Sequence, residues 1–451
     1  MANTKLNRTA GSTGNRRTWT FSAWVKRSAV KGTADSKGGL FSTYTDSNNR
    51  LDFGIDANDR FFFKEKEGSG STLIDFTSHR TFQDPAAFFH FVVAVDTTQS
   101  TEANRVKIYV NGEQITSWLD STYPGVNRDT LMNVSGRTYI IGSTDGSSNY
   151  WNGVMSHVHF CDGTALAPTV FGSTDSVTGQ WEINTSPSFT LGTNGFTILK
   201  DGNTITDQSS NSNDFSLGGG TLTKTEDNPS NVFATYNPLD NYFANSTFSN
   251  GNTTIVTNSG NTTYNTSTLG IPPTMKCYWE VKFNTVQSAN GEVGIVNTPT
   301  TGSSAGAYRL YYQTYGISVN DGGAIWSANA DTGITLGTLS TSDIVCFAWD
   351  GVNQALYVRK NGDAWINSGN PTSGASKTGA VKSFSGTSLT MFPAVGDQSG
   401  AHAVGTSTNF GNGYFQTSAV SSAGSNASGN GIFEYDTPTG YTALSTKGLN
   451  L

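Results

Sequence analysis

Charge is scarce in this sequence. Lys, Arg, Asp and Glu together make up 14% of 451 residues, against about a quarter in ordinary soluble proteins, and Glu occurs only nine times. Long solvent-facing helices are built from Glu, Lys, Arg, Leu and Ala, so the shortage argues against a helical protein. Basic residues do not predominate either: 27 Lys and Arg stand against 34 Asp and Glu, a net charge of −7. That excludes a broad phosphate-neutralising surface, and no nucleic-acid partner is expected. Long apolar runs are missing as well. The longest near-apolar stretch, residues 86–95, includes His90 and falls short of the about 18 apolar residues of a membrane helix, so no membrane insertion is expected. Residues 1–17 are polar almost throughout, which argues against a secretory leader. The three cysteines, Cys161, Cys277 and Cys346, are odd in number, lack metal-type spacing and lie in strand-like runs. They are expected to be reduced and to act as small hydrophobes, with no disulfide.

What is present points to β structure. Gly reaches 51, and 9 Trp, 17 Tyr and 26 Phe are too many rings for a disordered chain. Residues 18–25 alternate, with Trp19, Phe21, Ala23 and Val25 on one face and mostly hydroxyls on the other, the mark of a half-buried strand. Residues 51–55 and 60–64 flank Asp56, Ala57, Asn58 and Asp59, a hairpin signal. Residues 88–95 read as a strand apolar on both faces, and 105–110 alternate into Asn111-Gly112, a type I′ turn signal. Strands are also expected at 137–142 and 153–160. From 200 to 231 the text is mostly Asp, Asn, Ser, Gly and Thr, a polar linker. Beyond it strands are expected at 276–283, 292–296, 308–312, 344–349, 356–359 and 409–410. The fold class is therefore all-β, as two tandem β-sandwiches. The expected division is an N-terminal arm at 1–17, a first sandwich at 18–199, the linker at 200–231 and a second sandwich at 232–451.

These residues carry two family resemblances. Residues 19–25, the run 88–96, the hairpin 106–112, and the closing pair 139–142 and 151–156 resemble the concanavalin A-like (laminin-G-like) jelly roll. Residues 277–283, 343–350, Lys360-Asn361-Gly362, 392–396 and 409–411 are similar to SPRY domains. A jelly roll followed by a SPRY-like half resembles proteins of tailed phages. That resemblance implies a virion surface component, assembled in the host cytoplasm and present in multiple copies or as a homo-oligomer. Its partners would be other virion chains and a host surface polysaccharide or protein. The implied role is host recognition at a tail fibre or appendage, with capsid decoration as the alternative and glycan hydrolysis a distant third.

Candidate sites follow. Glucanases on the concanavalin-like fold need two carboxylates across a sugar ring, commonly as Glu-x-Asp-x-x-Glu along one strand. The sequence lacks that run. Its nearest approach is Glu434-Tyr435-Asp436, while Glu65 and Glu67 are interleaved with Lys64 and Lys66, so no enzyme is expected. Sugars are held by aromatic faces together with amide and carboxylate hydrogen bonds. Asp145, Asn149, Tyr150 and Trp151 form one such candidate, and Asp321 with Trp326 another, although Trp151 reads more readily as a core residue packed under the closing strand. No cofactor is expected, with one reservation: laminin-G-type domains sometimes hold calcium at a loop rim, and loops 46–49 and 145–149 carry oxygen ligands. His157 and His159 stand two apart on a strand, half of a metal site or simply two strand histidines. Lys5, Arg8, Arg16 and Arg17, with no acid among them, would let the N-terminal arm dock on an acidic virion partner.

Overall fold

A computed structural model describes residues 3–31, 36–200, 202, 204–240, 246–257, 262–286, 290–298, 309–397 and 403–451. These residues form strands, turns and six short 3-10 turns, with no α-helix among them. The chain divides into two compact units, Met1–Lys224 and Thr225–Leu451, and both are β-sandwiches.

In the first unit an eight-stranded antiparallel sheet has the spatial order Trp118–Thr122, Ser71–Thr81, Arg60–Glu67, Asn49–Ile55, Gly38–Asp46, Thr138–Ile141, Lys5–Thr9, Ser216–Gly219. It faces a six-stranded sheet ordered Phe196–Ile198, Gly153–Asp162, Thr18–Arg27, Phe88–Asp96, Val106–Val110, Glu113–Gln114. The alternation in Thr18–Arg27 sends Trp19, Phe21, Ala23 and Val25 into the core between the sheets, where they meet Phe41, Phe53, Phe63, Phe91 and Phe160. The opposite face of that strand is buried too, at Thr20, Ser22, Trp24 and Lys26, because residues 163–195 cross it. Leu166 N donates to Thr20 Oγ1 at 2.8 Å, and Phe171 packs fully buried. The Asn111-Gly112 turn forms as expected, with both residues at positive φ (48° and 82°). Glycine is needed there for a second reason, since a Cβ on Gly112 would stand 2.5 Å from the Trp181 ring.

Two expected boundaries change. Residues 5–9 are not an arm: they are a sheet strand between Thr138–Ile141 and Ser216–Gly219, with Leu6 buried in the core. One apolar side chain suffices because the backbone hydrogen bonds are supplied by strands on both sides. Met1 and Ala2 lie outside the described residues. The stretch 200–231 is likewise not one uniform linker, because Ser216–Gly219 pairs with Lys5–Thr9 and Phe215 is buried against Phe196. Asp201 and Asn203 lie outside the described residues.

The second unit pairs a seven-stranded sheet with a six-stranded one. The first has the order Thr247–Ser249, Thr254–Val256, Gly405–Asn409, Lys276–Phe283, Ile344–Asp350, Ala355–Lys360, Lys382–Ser383. The second has the order Thr263–Thr266, Phe392–Asp397, Gly291–Val296, Ile317–Asn320, Ala324–Ser327, Ala330–Thr335. Its core joins Trp279, Phe347, Trp349, Val293, Ile317 and Ile325. Cys161, Cys277 and Cys346 are all buried free thiols. The expected strand at 308–312 is instead a 3-10 turn, Leu310–Tyr312, and Tyr308 lies outside the described residues.

One turn residue is unexpectedly interior. Asp59 closes the hairpin at φ 62° yet is fully buried, because its carboxylate meets Arg27 at 2.8 Å and accepts from Lys31 N and Gln83 Nε2. Removing one partner of a buried pair strands the other charge. Asp59→Ala is therefore expected to cost about 3–5 kcal/mol, measured by urea unfolding; a loss under about 1 kcal/mol would contradict the pairing.

Candidate functional site

The first candidate lies on a loop at the end of the strand Thr138–Ile141. Strand pairing seats that strand against Gly38–Asp46, and the loop then folds back over the start of the same neighbour. Gly39 N donates to Asn149 O, Trp151 N to Gly142 O and Ser42 Oγ to Ser143 O, each at 2.9 Å. Asp145 braces the loop from inside: Oδ1 accepts from Ser147 N (2.7 Å), Ser147 Oγ (3.1 Å) and Ser148 N (2.6 Å), and Oδ2 from Ser148 Oγ (2.6 Å). Partial burial opposes ionisation, but the hydrogen bonds from Ser148 and Ser147 outweigh it and hold Asp145 below the usual carboxylate range. Asn149, at φ 48°, donates to Thr144 Oγ1 and Ser148 Oγ. Tyr150 and Trp151 emerge side by side, both half-buried. Trp151 rests against the core, its ring edge next to Gly38, so it is a core residue and a surface residue at once.

The carboxylates of the two loops expected to hold calcium are already hydrogen-bonded. A cation needs free oxygen lone pairs, whereas the Asp145 carboxylate already accepts four N–H and O–H donors. In the other loop, Asp46 is occupied by Asn48 N and Asn49 Nδ2. Among the described residues no group of three His, Cys, Asp or Glu could hold a metal.

The second candidate separates. Asp321 is buried, and its carboxylate accepts from Gly291 N at 3.2 Å. Trp326 is half-buried on the strand Ala324–Ser327, its ring 5.1 Å from that of Tyr311. Tyr311 is 4% exposed and its neighbour Tyr312 37%. Sequence reasoning missed the cation at this place: Arg309 donates to both tyrosine hydroxyls (2.9 and 3.2 Å) and lies 5.1 Å over the Tyr312 ring. No single-strand periodicity reveals it, because the turn is irregular.

The four basic residues assigned to docking are tied into the first unit. Lys5 Nζ donates to Gly146 O, and Arg8 to Asn213 while lying 5.6 Å over the Tyr139 ring. Arg16 Nε donates to Thr130 O, and Arg17 pairs with Asp129 at 2.7 Å. They do not form a free arm, because Lys5 and Arg8 belong to a paired sheet strand and Arg16 and Arg17 are bonded to residues 129–130.

Residues 3–170 match the family model of the concanavalin A-like lectin/glucanases superfamily. The first unit carries a concanavalin A-like, laminin-G-like domain. No curated protein matches the sequence. Among solved structures, the SPRY domain of human HERC1 is 14% identical over 38% of this chain and 96% of its own, with a TM-score of 0.30. A native heptameric SAP-like pentraxin from Limulus polyphemus is 15% identical over 37% and 72%, with a TM-score of 0.27. Domain 4 of AbnA, a GH43 extracellular arabinanase from Geobacillus stearothermophilus in complex with arabinotriose, is 18% identical over 34% and 65%, with a TM-score of 0.25.

Four carboxylates of the first unit lie next to cations. Glu65 and Glu67 both meet Arg128, at 3.1 and 2.7 Å, and burial pushes Glu65 up to about 7. Asp52, raised to about 6 by burial, sits 3.3 Å from Arg50, while Asp75 sits 3.1 Å from Lys64. In the second unit Glu434 and Asp436 brace loops through Ser421 and Ser425. His157 and His159 are not a regular strand pair: the register slips between Ser156 and His159, and His157 takes φ 48°. Their rings are 6.3 Å apart, with His157 Nδ1 on Ser156 Oγ and His159 Nδ1 on Thr197 Oγ1.

His90 is more telling. Its ring stacks 4.7 Å from Trp24, and its Nδ1 takes the indole proton of Trp181 at 3.0 Å. Indole only donates, so Nδ1 is the acceptor, and Nε2 carries the proton that goes to Ser22 Oγ at 2.8 Å. Burial pushes both His90 and His159 down to about 3. The stability each contributes is whole above the ordinary value of 6.5 and erodes as pH falls from there toward 3. Ring 15N NMR is expected to show His90 neutral, with its proton on Nε2, from pH 7 down to about 4. A ring that protonates near pH 6 would contradict this burial.

Proposed function

We propose that this chain is a non-enzymatic, glycan-binding virion surface protein of a tailed phage, tail-associated and directed at host surface polysaccharide. One observation carries the reading: the 143–151 loop, in which Asp145 braces Ser147 and Ser148 and the chain then presents Tyr150 and Trp151, both half-buried, at consecutive positions. The partly exposed faces of Tyr150 and Trp151, next to amide and hydroxyl groups, suit the C–H faces and hydroxyls of a pyranose. A loop fixed in advance spends little of its binding energy on ordering. Non-catalytic binding is supported by the engagement of Glu65, Glu67, Asp52 and Asp75 with neighbouring cations, since retaining and inverting glycosidases both need a pair of carboxyl groups at the sugar. The phage setting is supported by the order of the two sandwiches, a jelly roll before a SPRY-like half. It implies assembly in the host cytoplasm, multiple copies, and other virion chains as partners.

Capsid decoration is the second reading. It is favoured by a sequence without heptads for a trimeric shaft. Copy number separates the two: hundreds per virion would overturn the tail assignment, and about a dozen would overturn uniform decoration.

For the rim itself, Tyr150→Ala is expected to weaken binding of a neutral envelope polysaccharide about tenfold while leaving the thermal midpoint in place. Unchanged affinity, by calorimetry or surface plasmon resonance, would remove the loop from the site.

A further inference from the structure

The outer face of the six-stranded sheet in the second unit holds polar atoms with nothing to bind. Glu292 Oε1, Ser318 Oγ, Trp326 Nε1 and Arg309 Nε are closed to solvent and have no hydrogen-bond partner among the described residues. Strand register gathers them. Gly294 stands opposite Ser318, Ser318 opposite Trp326, and Glu292 is two residues along the same face as Gly294. The turn Leu310–Tyr312 is fastened to this face by Leu310 N donating to Glu292 Oε2 at 2.8 Å and by the Tyr311 ring against Trp326. Buried polar groups without partners are costly, and three of these four lie on adjacent strands of one face with the Arg309 turn fastened over it, a place an occupant with matching polar groups would relieve.

Donor chemistry narrows that occupant. The indole and the guanidinium Nε only donate, and the serine hydroxyl does either. Burial raises Glu292 to about 8, opposed by the Leu310 N–H that donates to Oε2 and by the nearby Arg309, so burial disfavours its charged form. Arg309 makes no ion pair among the described residues, and its contacts are two phenol oxygens and the Tyr312 ring. A phenol that accepts from Arg309 still has its own proton to offer. The place therefore supplies several donors and a guanidinium with no ion pair among the described residues, beside an exposed aromatic ring.

We propose that the Arg309 turn, with Glu292, Ser318 and Trp326 beneath it, binds the carboxylate of an acidic sugar, a uronic-acid residue of a polysaccharide. The guanidinium and the two phenols meet the carboxylate, Tyr312 lies against the sugar ring, and the buried donors receive oxygens as the turn opens. This proposal rests on the reading that the chain binds glycans, but it uses a site in the other sandwich from the 143–151 loop.

The test uses the full chain and D-glucuronate, with D-glucose as control, and follows the Trp326 indole N–H signal by NMR, assigned through Trp326→Phe. Glucuronate is expected to shift that signal and glucose to leave it in place. Arg309→Gln should weaken the response at least about tenfold, and raising the salt should weaken it in the unaltered chain. Ser318→Ala removes one unpartnered hydroxyl, so it should raise the thermal midpoint of the free chain while weakening glucuronate binding. That variant keeps the test readable if Arg309→Gln folds poorly. An unmoved signal, an equal response to glucose, or an Arg309→Gln chain that binds like the parent would each overturn the proposal. Tyr150→Ala should leave the glucuronate response intact, so loss of neutral-glycan binding at the rim loop and loss of this site are read separately.

Discussion

Phe41 sits where the two sheets of the first unit meet, and much of the unit depends on that contact. Its ring stacks on Phe21 at 4.9 Å and meets Phe160 and Phe196 of the opposing sheet, while Phe53 and Tyr139 flank it within its own sheet. Aromatic pairs of this kind are worth about 0.5–1.5 kcal/mol each beyond the area they bury. They also fix register, since a one-residue slip would turn every ring outward. The consequence reaches the surface. Tyr139 is held opposite Thr43 and Ile141 opposite Phe41, so the chain leaves the strand at a set place, and the 143–151 loop begins there.

Both sandwiches meet the same difficulty and answer it alike. A sheet buried on its inner face still has an outer one, and each unit covers one of these with the chain that follows. In the first, residues 163–195 bring Phe171 and Trp181 over His90 and His159. In the second, Phe415, Phe433 and Tyr441 cover Tyr278, Cys346 and Tyr357. There Glu280 is buried and accepts from Glu434 N, Tyr435 N, Tyr278 Oη and Asn409 Nδ2, so one carboxylate anchors the covering segment. Burial raises it to about 7, opposed by those donors.

Local pattern explains what was legible beforehand. Trp19, Phe21, Ala23 and Val25 announced their strand, and Asn111-Gly112 its turn, because period-two burial and left-handed φ are properties of a few adjacent residues. Non-local partners explain what was not. Trp24 and Ser22 read as an outer face, since nothing nearby in sequence says that His90, itself covered by Trp181, will meet them. Residues 5–9 read as an arm because their only buried side chain is Leu6. The rim candidate was visible as an aromatic pair after a polar loop, whereas the Arg309 cluster depends on an irregular turn meeting two strands. Its one advance signal was Glu292, a carboxylate heading an otherwise apolar strand.

Binding without cleavage is the central claim, and one experiment addresses it directly. The full chain is mixed with a bacterial envelope polysaccharide, bound material is recovered by size-exclusion chromatography, and the chain length of the polysaccharide is read before and after prolonged incubation. The polysaccharide is predicted to co-elute with the protein at unchanged length. Shortened products, or no co-elution at all, would contradict the account.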